Sequence, residues 1–128
     1  MNTKINYIIT LAVVLLLSPM LTFANQDETE WNTTLKNQYF SGKTIEESNN
    51  IIELDSPVRA EDPALVPLKI NTKIKQTGDS YIKKILVLVD KNPYPYVGEF
   101  EFTPNSGKAD LAMRIRVNTY SYIRAIAE

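Results

Sequence analysis

Apolar and polar side chains alternate along much of the second half of the chain, and this alternation predicts β-strands. In residues 110–117, DLAMRIRV, every odd-numbered position is apolar, while Asp110, Arg114 and Arg116 are charged. A period of two places one row in a core and the other in water. The same alternation occurs over residues 65–75 and 96–102. A shorter apolar segment over residues 51–55 predicts a brief strand that ends before Pro57, because proline cannot donate to a sheet ladder.

One segment breaks the alternation: residues 85–89 read ILVLV, so the side chains on both faces of the strand are apolar. This pattern predicts a strand that is covered on both faces, either central in the sandwich or facing a partner. Two prolines then end the strand and form a rigid tip, at Pro93, Tyr94, Pro95 and Tyr96. A tyrosine beside loop prolines is typical both of a structural turn and of a docking site, and we predict partner contacts at these four residues.

Ahead of the strands, Trp31, Leu35 and Tyr39 recur at a spacing of four. This spacing predicts a short amphipathic helix that packs as a lid on the core and ends at Ser41-Gly42. The strands follow one another without intervening helices, which indicates an antiparallel β-sandwich rather than a parallel α/β sheet. The sequence TPNSG at residues 103–107 predicts a hairpin that joins the last two alternating segments.

The first 24 residues have the pattern of a secretory signal peptide. Lys4 precedes an apolar run over residues 7–17, and residues 22–24 offer a cleavage site before Asn25. The run is shorter than the roughly 20 apolar residues of a membrane span, although an uncleaved anchor is the alternative. We therefore predict Sec-type export to the periplasm of a single domain, residues 25–128, with no membrane span after cleavage.

Composition excludes several kinds of chemistry. The chain contains neither cysteine nor histidine, so a thiol nucleophile, a serine–histidine pair and nearly all zinc or copper sites are ruled out within these residues. No glycine-rich phosphate loop is present. Without residues 1–24, 13 basic and 15 acidic side chains remain, and this net charge of −2 argues against a nucleic-acid partner. We predict no catalytic residue, no cofactor and no metal, and therefore not an enzyme.

Four collinear segments of the chain resemble SoxY, the sulfur-carrying subunit of the periplasmic sulfur-oxidation system, and the SoxYZ-like carriers associated with quinoprotein dehydrogenases. The segments are Trp31 with Leu35-Lys36, Tyr39-Phe40, Gly42-Lys43 and Ile45; Ile52-Glu53-Leu54 with Pro57, Arg59-Ala60-Glu61-Asp62 and Val66-Pro67; residues 85–93 with Pro95; and Arg116-Val117-Asn118 with Tyr120-Ser121 and Ile123-Arg124-Ala125. Together they cover nearly all of residues 25–128.

The resemblance implies an immunoglobulin-like antiparallel β-sandwich with a short N-terminal helix. It also implies a SoxZ-like subunit or fused domain as partner, and sulfur-oxidising enzymes or a quinoprotein dehydrogenase system as users of the carrier. In that family a cysteine on a glycine-rich arm after the sandwich carries sulfur from compounds such as thiosulfate. These 128 residues contain no cysteine.

Two interpretations of the missing cysteine arm stay open. In the first, the domain is incomplete at its C-terminus and the arm lies beyond Glu128. In the second, a relative of the family kept the sandwich and lost the arm. Either way the chain is expected to act as scaffold and docking surface. The alternative is a generic exported immunoglobulin-like module for binding or adhesion.

Overall fold

A computed structural model describes residues 30–128, and the predicted signal peptide lies outside the described residues. Within residues 30–128, six strands form two three-stranded antiparallel sheets, one in the order β1-β2-β5 and the other in the order β4-β3-β6. The strands are β1 (Ile52–Asp55), β2 (Val66–Thr72), β3 (Lys84–Val89), β4 (Tyr96–Glu101), β5 (Leu111–Ile115) and β6 (Ile123–Ala127). The predicted antiparallel β-sandwich is confirmed.

The main core lies between the two sheets and follows the alternation in the sequence. In β2 every second side chain is buried, so Leu68 and Ile70 point inward while Lys69 between them is exposed. The inward row of β3, which includes Ile85 and Val87, packs against them. Each such side chain contributes roughly 1.5–3 kcal/mol on full burial, and the contact between these two rows holds the sheets together.

A short N-terminal helix covers the other face of β3. It begins as a π-helical turn, Trp31–Leu35, and continues as an α-helix, α1, Lys36–Phe40. Trp31 and Leu35 are buried against Leu86 and Leu88 of β3, which form a second apolar cluster. The prediction of a strand covered on both faces is confirmed, since residues 85–89 are all buried and contribute to both clusters. Among the helices of residues 30–128, none has the length and apolar character needed to cross a bilayer.

The predicted hairpin between the last two alternating segments is wrong. β4 pairs with β3 and β5 pairs with β2, so residues 102–110 cross from one sheet to the other. Hydrogen bonds to different sheets hold the two ends of this crossing. The Phe102 N–H donates to the carbonyl of Lys83, the residue before β3, and the Thr72 N–H of β2 donates to the Asp110 carboxylate. Gly107, at φ 76°, makes the turn between them.

Candidate functional site

Three loops meet at one end of the sandwich, which we call the tyrosine end: the β1–β2 loop (residues 56–65), the β3–β4 turn (90–95) and the β5–β6 loop (116–122). Within the described residues, most of the large hydrophobic side chains that remain exposed lie at this end: Val58, Leu65, Tyr94, Tyr96, Tyr120 and Tyr122. Clusters of exposed apolar side chains mark interaction surfaces more often than single ones do. The tyrosine end is therefore the candidate docking site.

Hydrogen bonds fix the three loops of the tyrosine end to one another. The Asn92 side chain donates to the Arg116 carbonyl at 2.8 Å and accepts from the Asn118 N–H at 2.9 Å. The Val117 N–H donates to the Pro63 carbonyl at 2.8 Å. A surface whose loops are already tied together loses less conformational entropy when a partner binds.

The predicted docking residues Pro93, Tyr94, Pro95 and Tyr96 all lie at the tyrosine end. The turn interpretation is confirmed, since the Val89 N–H donates to the Pro95 carbonyl at 2.8 Å and closes the loop. Tyr94 is 85% exposed, whereas the Tyr96 ring stacks on Tyr39 of the N-terminal helix with centroids 6.4 Å apart. Tyr94 is thus free to meet a partner, and its docking role stays a prediction.

A shallow groove opens between the β1–β2 and β5–β6 loops at the same end. Its volume is about 230 Å³, and Val58, Ala60, Val117 and Tyr120 line it, with Arg59 among them. The lining offers an apolar surface to a partner side chain rather than a set of reactive groups. In the part of the chain that the structure describes, no cluster of carboxylates is placed to hold a metal ion.

A buried ion pair lies beneath the N-terminal helix beside the tyrosine end. Asp90 follows β3 on the face that carries Leu86 and Leu88, and its side chain is fully buried. Arg124 of β6 donates from Nε to the two Asp90 carboxylate oxygens at 3.0 and 2.9 Å. Its Nη2 lies 2.8 Å from Oδ2 as an ion-pair contact without hydrogen-bond geometry. The pair joins β3 to β6 inside the second apolar cluster.

Two aromatic rings cover the guanidinium of this pair. The Arg124 guanidinium carbon lies 4.3 Å from the centre of the Trp31 ring and 5.2 Å from that of Tyr122. Both are cation–π contacts, which strengthen when the cation is shielded from water. Sequence reasoning missed this arrangement. The signal for it was a lone arginine in the apolar strand IRAIA and an aspartate directly after the apolar strand ILVLV.

The opposite end of the sandwich is charged. Glu128 bonds to Lys43 at 2.8 Å, and Lys84 bonds to Glu99 at 3.3 Å. The hydrogen bond from Lys43 holds the pKa of Glu128 below its ordinary value, and the hydrogen bond to Glu99 raises the pKa of Lys84. These pairs contribute little to stability, because solvent screens the attraction between exposed charges. The first pair links the residue after β6 to the segment that follows α1, and the second links β3 to β4.

Comparison with known proteins agrees with this architecture. A family model described as "Sulfur oxidation protein SoxY" matches residues 36–128. The structure also resembles that of the sulfur carrier protein SoxY from Chlorobium limicola f thiosulfatophilum, with a TM-score of 0.62 at 21% identity, over 80% of this chain and 86% of that one. No curated protein matches the sequence. The structural likeness confirms the predicted immunoglobulin-like fold.

Proposed function

The chain belongs to the SoxY family, as its match over residues 36–128 shows, and we propose on this premise that it is the sandwich domain of a periplasmic sulfur carrier. The observation that carries the proposal is the extent of the family match. It begins at the first residue of α1 and includes all six strands, so the family's sequence pattern and the observed sandwich coincide.

In this proposal the sandwich is a scaffold, and the chemistry of sulfur attachment belongs to a thiol outside residues 1–128. Covalent sulfur carriage requires a thiolate, since the thiolate is the nucleophilic form of cysteine. The printed sequence has no cysteine. The thiol would be that of the family's glycine-rich arm, following Glu128 in a longer chain, and the cargo would derive from a reduced sulfur compound such as thiosulfate.

The tyrosine end would be the surface that partners recognise. A carrier must present the same cargo to successive enzymes, and a rigid surface with exposed aromatic side chains suits repeated docking. Tyr94 and the groove beside Tyr120 provide such a surface. A SoxZ-like subunit and sulfur-oxidising enzymes or a quinoprotein dehydrogenase system are the proposed partners.

Periplasmic location is supported by the signal-peptide pattern of residues 1–24. The test is to fractionate cells that express the chain and to sequence the N-terminus of the recovered protein. A periplasmic product that begins at Asn25 is expected. A product that stays in the membrane fraction with residues 1–24 attached would instead support the uncleaved anchor.

Two experiments test the carrier proposal against the alternative of a binding or adhesion module. The first is to read the coding DNA past the codon for Glu128, where the proposal expects a glycine-flanked cysteine. The second is to delete the gene in its native host and measure thiosulfate consumption. The proposal expects consumption to fall and to recover on complementation. A stop codon directly after Glu128, together with unchanged consumption, would favour the binding module.

A further inference from the structure

The outer face of the β1-β2-β5 sheet is not covered by any helix or strand of residues 30–128. On the other sheet the N-terminal helix packs against the outward side chains of β3. On β2, by contrast, the outward side chains Pro67 and Lys69 are exposed, and on β5 Ala112 and Arg114 are exposed as well. This face points away from the core and from the second sheet, so a partner could reach it directly.

Three cationic side chains lie together on this face: Lys69, Arg114 and Arg116. In the register of β2 with β5, Lys69 lies opposite Ala112, which makes Arg114 its diagonal neighbour. Arg116 comes two residues after Arg114, and the alternation of exposed and less exposed side chains continues through it. Two residues of an extended chain span about 6–7 Å, which sets the spacing of the two arginines. We call these three residues, with Pro67 and Ala112 beside them, the cationic face.

The two arginines of the cationic face have no carboxylate partner. Neither side chain forms an ion pair or a hydrogen bond within residues 30–128. The acidic residue that precedes β5 is Asp110, and its carboxylate is already held by the Thr72 N–H at 2.8 Å and by Lys108 at 3.2 Å. Both guanidinium groups are therefore available to an anionic group of another molecule.

The carboxylates that β1 brings to the same side of the sheet offset only part of its charge. Glu53 is bound to Lys73 at 3.3 Å. Asp55 lies opposite Lys69 and offsets that lysine in part, but β2 separates it from both arginines of β5. The exposed acidic residues 61–62 of the β1–β2 loop form no ion pair with the cationic face. An excess of positive charge therefore remains on the β5 side.

We propose that the cationic face is a docking surface for a partner protein whose carboxylates are about 6–7 Å apart, as on alternate residues of a strand. A guanidinium binds a carboxylate through two parallel hydrogen bonds, and arginine is enriched in protein interfaces. A nucleic acid fits less well, because residues 25–128 carry a net charge of −2 that repels a dense polyanion. A lipid surface fits less well too, since Pro67 and Ala112 offer little apolar area to insert. The inference goes beyond the proposed function and requires neither the thiol nor the exposed tyrosines.

The probe is a synthetic peptide of about nine residues, a common strand length, with glutamate at every second position and threonine between. It is titrated at low ionic strength into the isotopically labelled folded chain while the backbone amide resonances are followed by NMR. Saturable shifts are expected, and the largest should fall within residues 67–71 and 111–116. The half-saturating concentration should rise with added salt, because salt screens contacts between exposed charges.

Three double variants separate specific docking from an effect of net charge. R114Q/R116Q removes both arginine charges and should weaken peptide binding by about fivefold or more. The matched control K75Q/K83Q removes two exposed charges at the opposite end of the sandwich and should change the affinity by less than about twofold. R114K/R116K keeps the charges but loses the paired hydrogen bonds, so its loss of affinity should be intermediate.

Four results would overturn the inference. The first is equal weakening by K75Q/K83Q, which would show that the peptide responds only to net charge. The second is equal or higher affinity for a peptide of the same composition whose glutamates are grouped. The third is displacement of the peptide by vesicles of phosphatidylglycerol and phosphatidylcholine or by single-stranded DNA, which would assign the face to a lipid surface or a nucleic acid. The fourth is self-association through this face, seen in sedimentation as a larger species that R114Q/R116Q dissociates.

Discussion

Breaking the buried pair between Asp90 and Arg124 should destabilise the domain more than any surface change. In the variant Arg124→Met the methionine replaces much of the arginine's apolar stem, but the Asp90 carboxylate is left fully buried without its cation. Removing one partner of a buried ion pair costs about 3–5 kcal/mol, because the remaining charge loses its compensation. The cation–π contact with Trp31 at 4.3 Å is lost as well, for about 1 kcal/mol.

A variant of Asp90 alone and a variant of both residues separate the cost of the unpaired charge from the cost of the lost contacts. Asp90→Asn leaves Arg124, whose side chain is 17% exposed, with an amide oxygen to bond and some access to water, so we expect a smaller loss of about 2 kcal/mol. The double variant Asp90→Asn/Arg124→Met leaves no buried charge. Its loss should be about 2–3 kcal/mol, well below the sum of the single losses, which gives a coupling energy of at least about 2 kcal/mol.

Urea unfolding followed by Trp31 fluorescence measures these values, since the chain has one tryptophan and the ring contacts the pair. With a slope of roughly 1–3 kcal/mol per molar urea, the midpoint of Arg124→Met should fall by about 2 M. A coupling energy below about 0.5 kcal/mol would refute the reasoning, because the pair would then act as two independent surface charges.

Three further changes probe other parts of the structure. Hydrogen bonding to the Thr72 N–H holds the pKa of Asp110 below its ordinary value. Asp110→Ala leaves that N–H without its acceptor and should cost about 2 kcal/mol at pH 7. In calorimetry at falling pH, the difference in stability between wild type and variant should shrink as Asp110 takes up its proton. Gly107→Ala should cost about 1–3 kcal/mol in urea unfolding, because φ 76° with ψ −71° is a strained conformation for a residue with a Cβ, even though no atom crowds that Cβ. The matched control Gly78→Ala should cost less. Tyr94→Ala should leave stability within about 0.5 kcal/mol and weaken binding of a SoxZ-like subunit by about tenfold in calorimetric titration; an unchanged affinity would remove Tyr94 from the docking surface.

Features that depend on local periodicity could be predicted from the sequence. The alternation of residues 65–75 predicted β2 and its buried row, and the continuous apolar segment at 85–89 predicted a strand covered on both faces. The spacing of Trp31 and Leu35 predicted the helix that covers it. Each of these is set by side chains a few residues apart, where the periods of strand and helix act directly.

Features that depend on contacts distant in sequence could not be predicted. The turn at residues 103–107 has the composition of a hairpin loop, but whether β5 pairs with β4 or with β2 is decided by register across the whole sandwich. Asp90 and Arg124 lie 34 residues apart and meet only because β6 pairs with β3. The same holds for the stacking of Tyr39 on Tyr96. The sequence thus predicted the docking residues at the β3–β4 turn, but it did not predict the buried Asp90–Arg124 pair beside them.

Binding to a SoxZ-like subunit from the same organism tests the central proposal most directly. Calorimetric titration of the folded chain with that subunit, with the mass of the product measured by light scattering, gives affinity and stoichiometry together. A saturable one-to-one complex is expected, weakened by Tyr94→Ala but not by Asp79→Lys, a change at an exposed position of the β2–β3 turn at the opposite end of the sandwich. No heat of binding and two separate species, with the chain folded cooperatively, would contradict it.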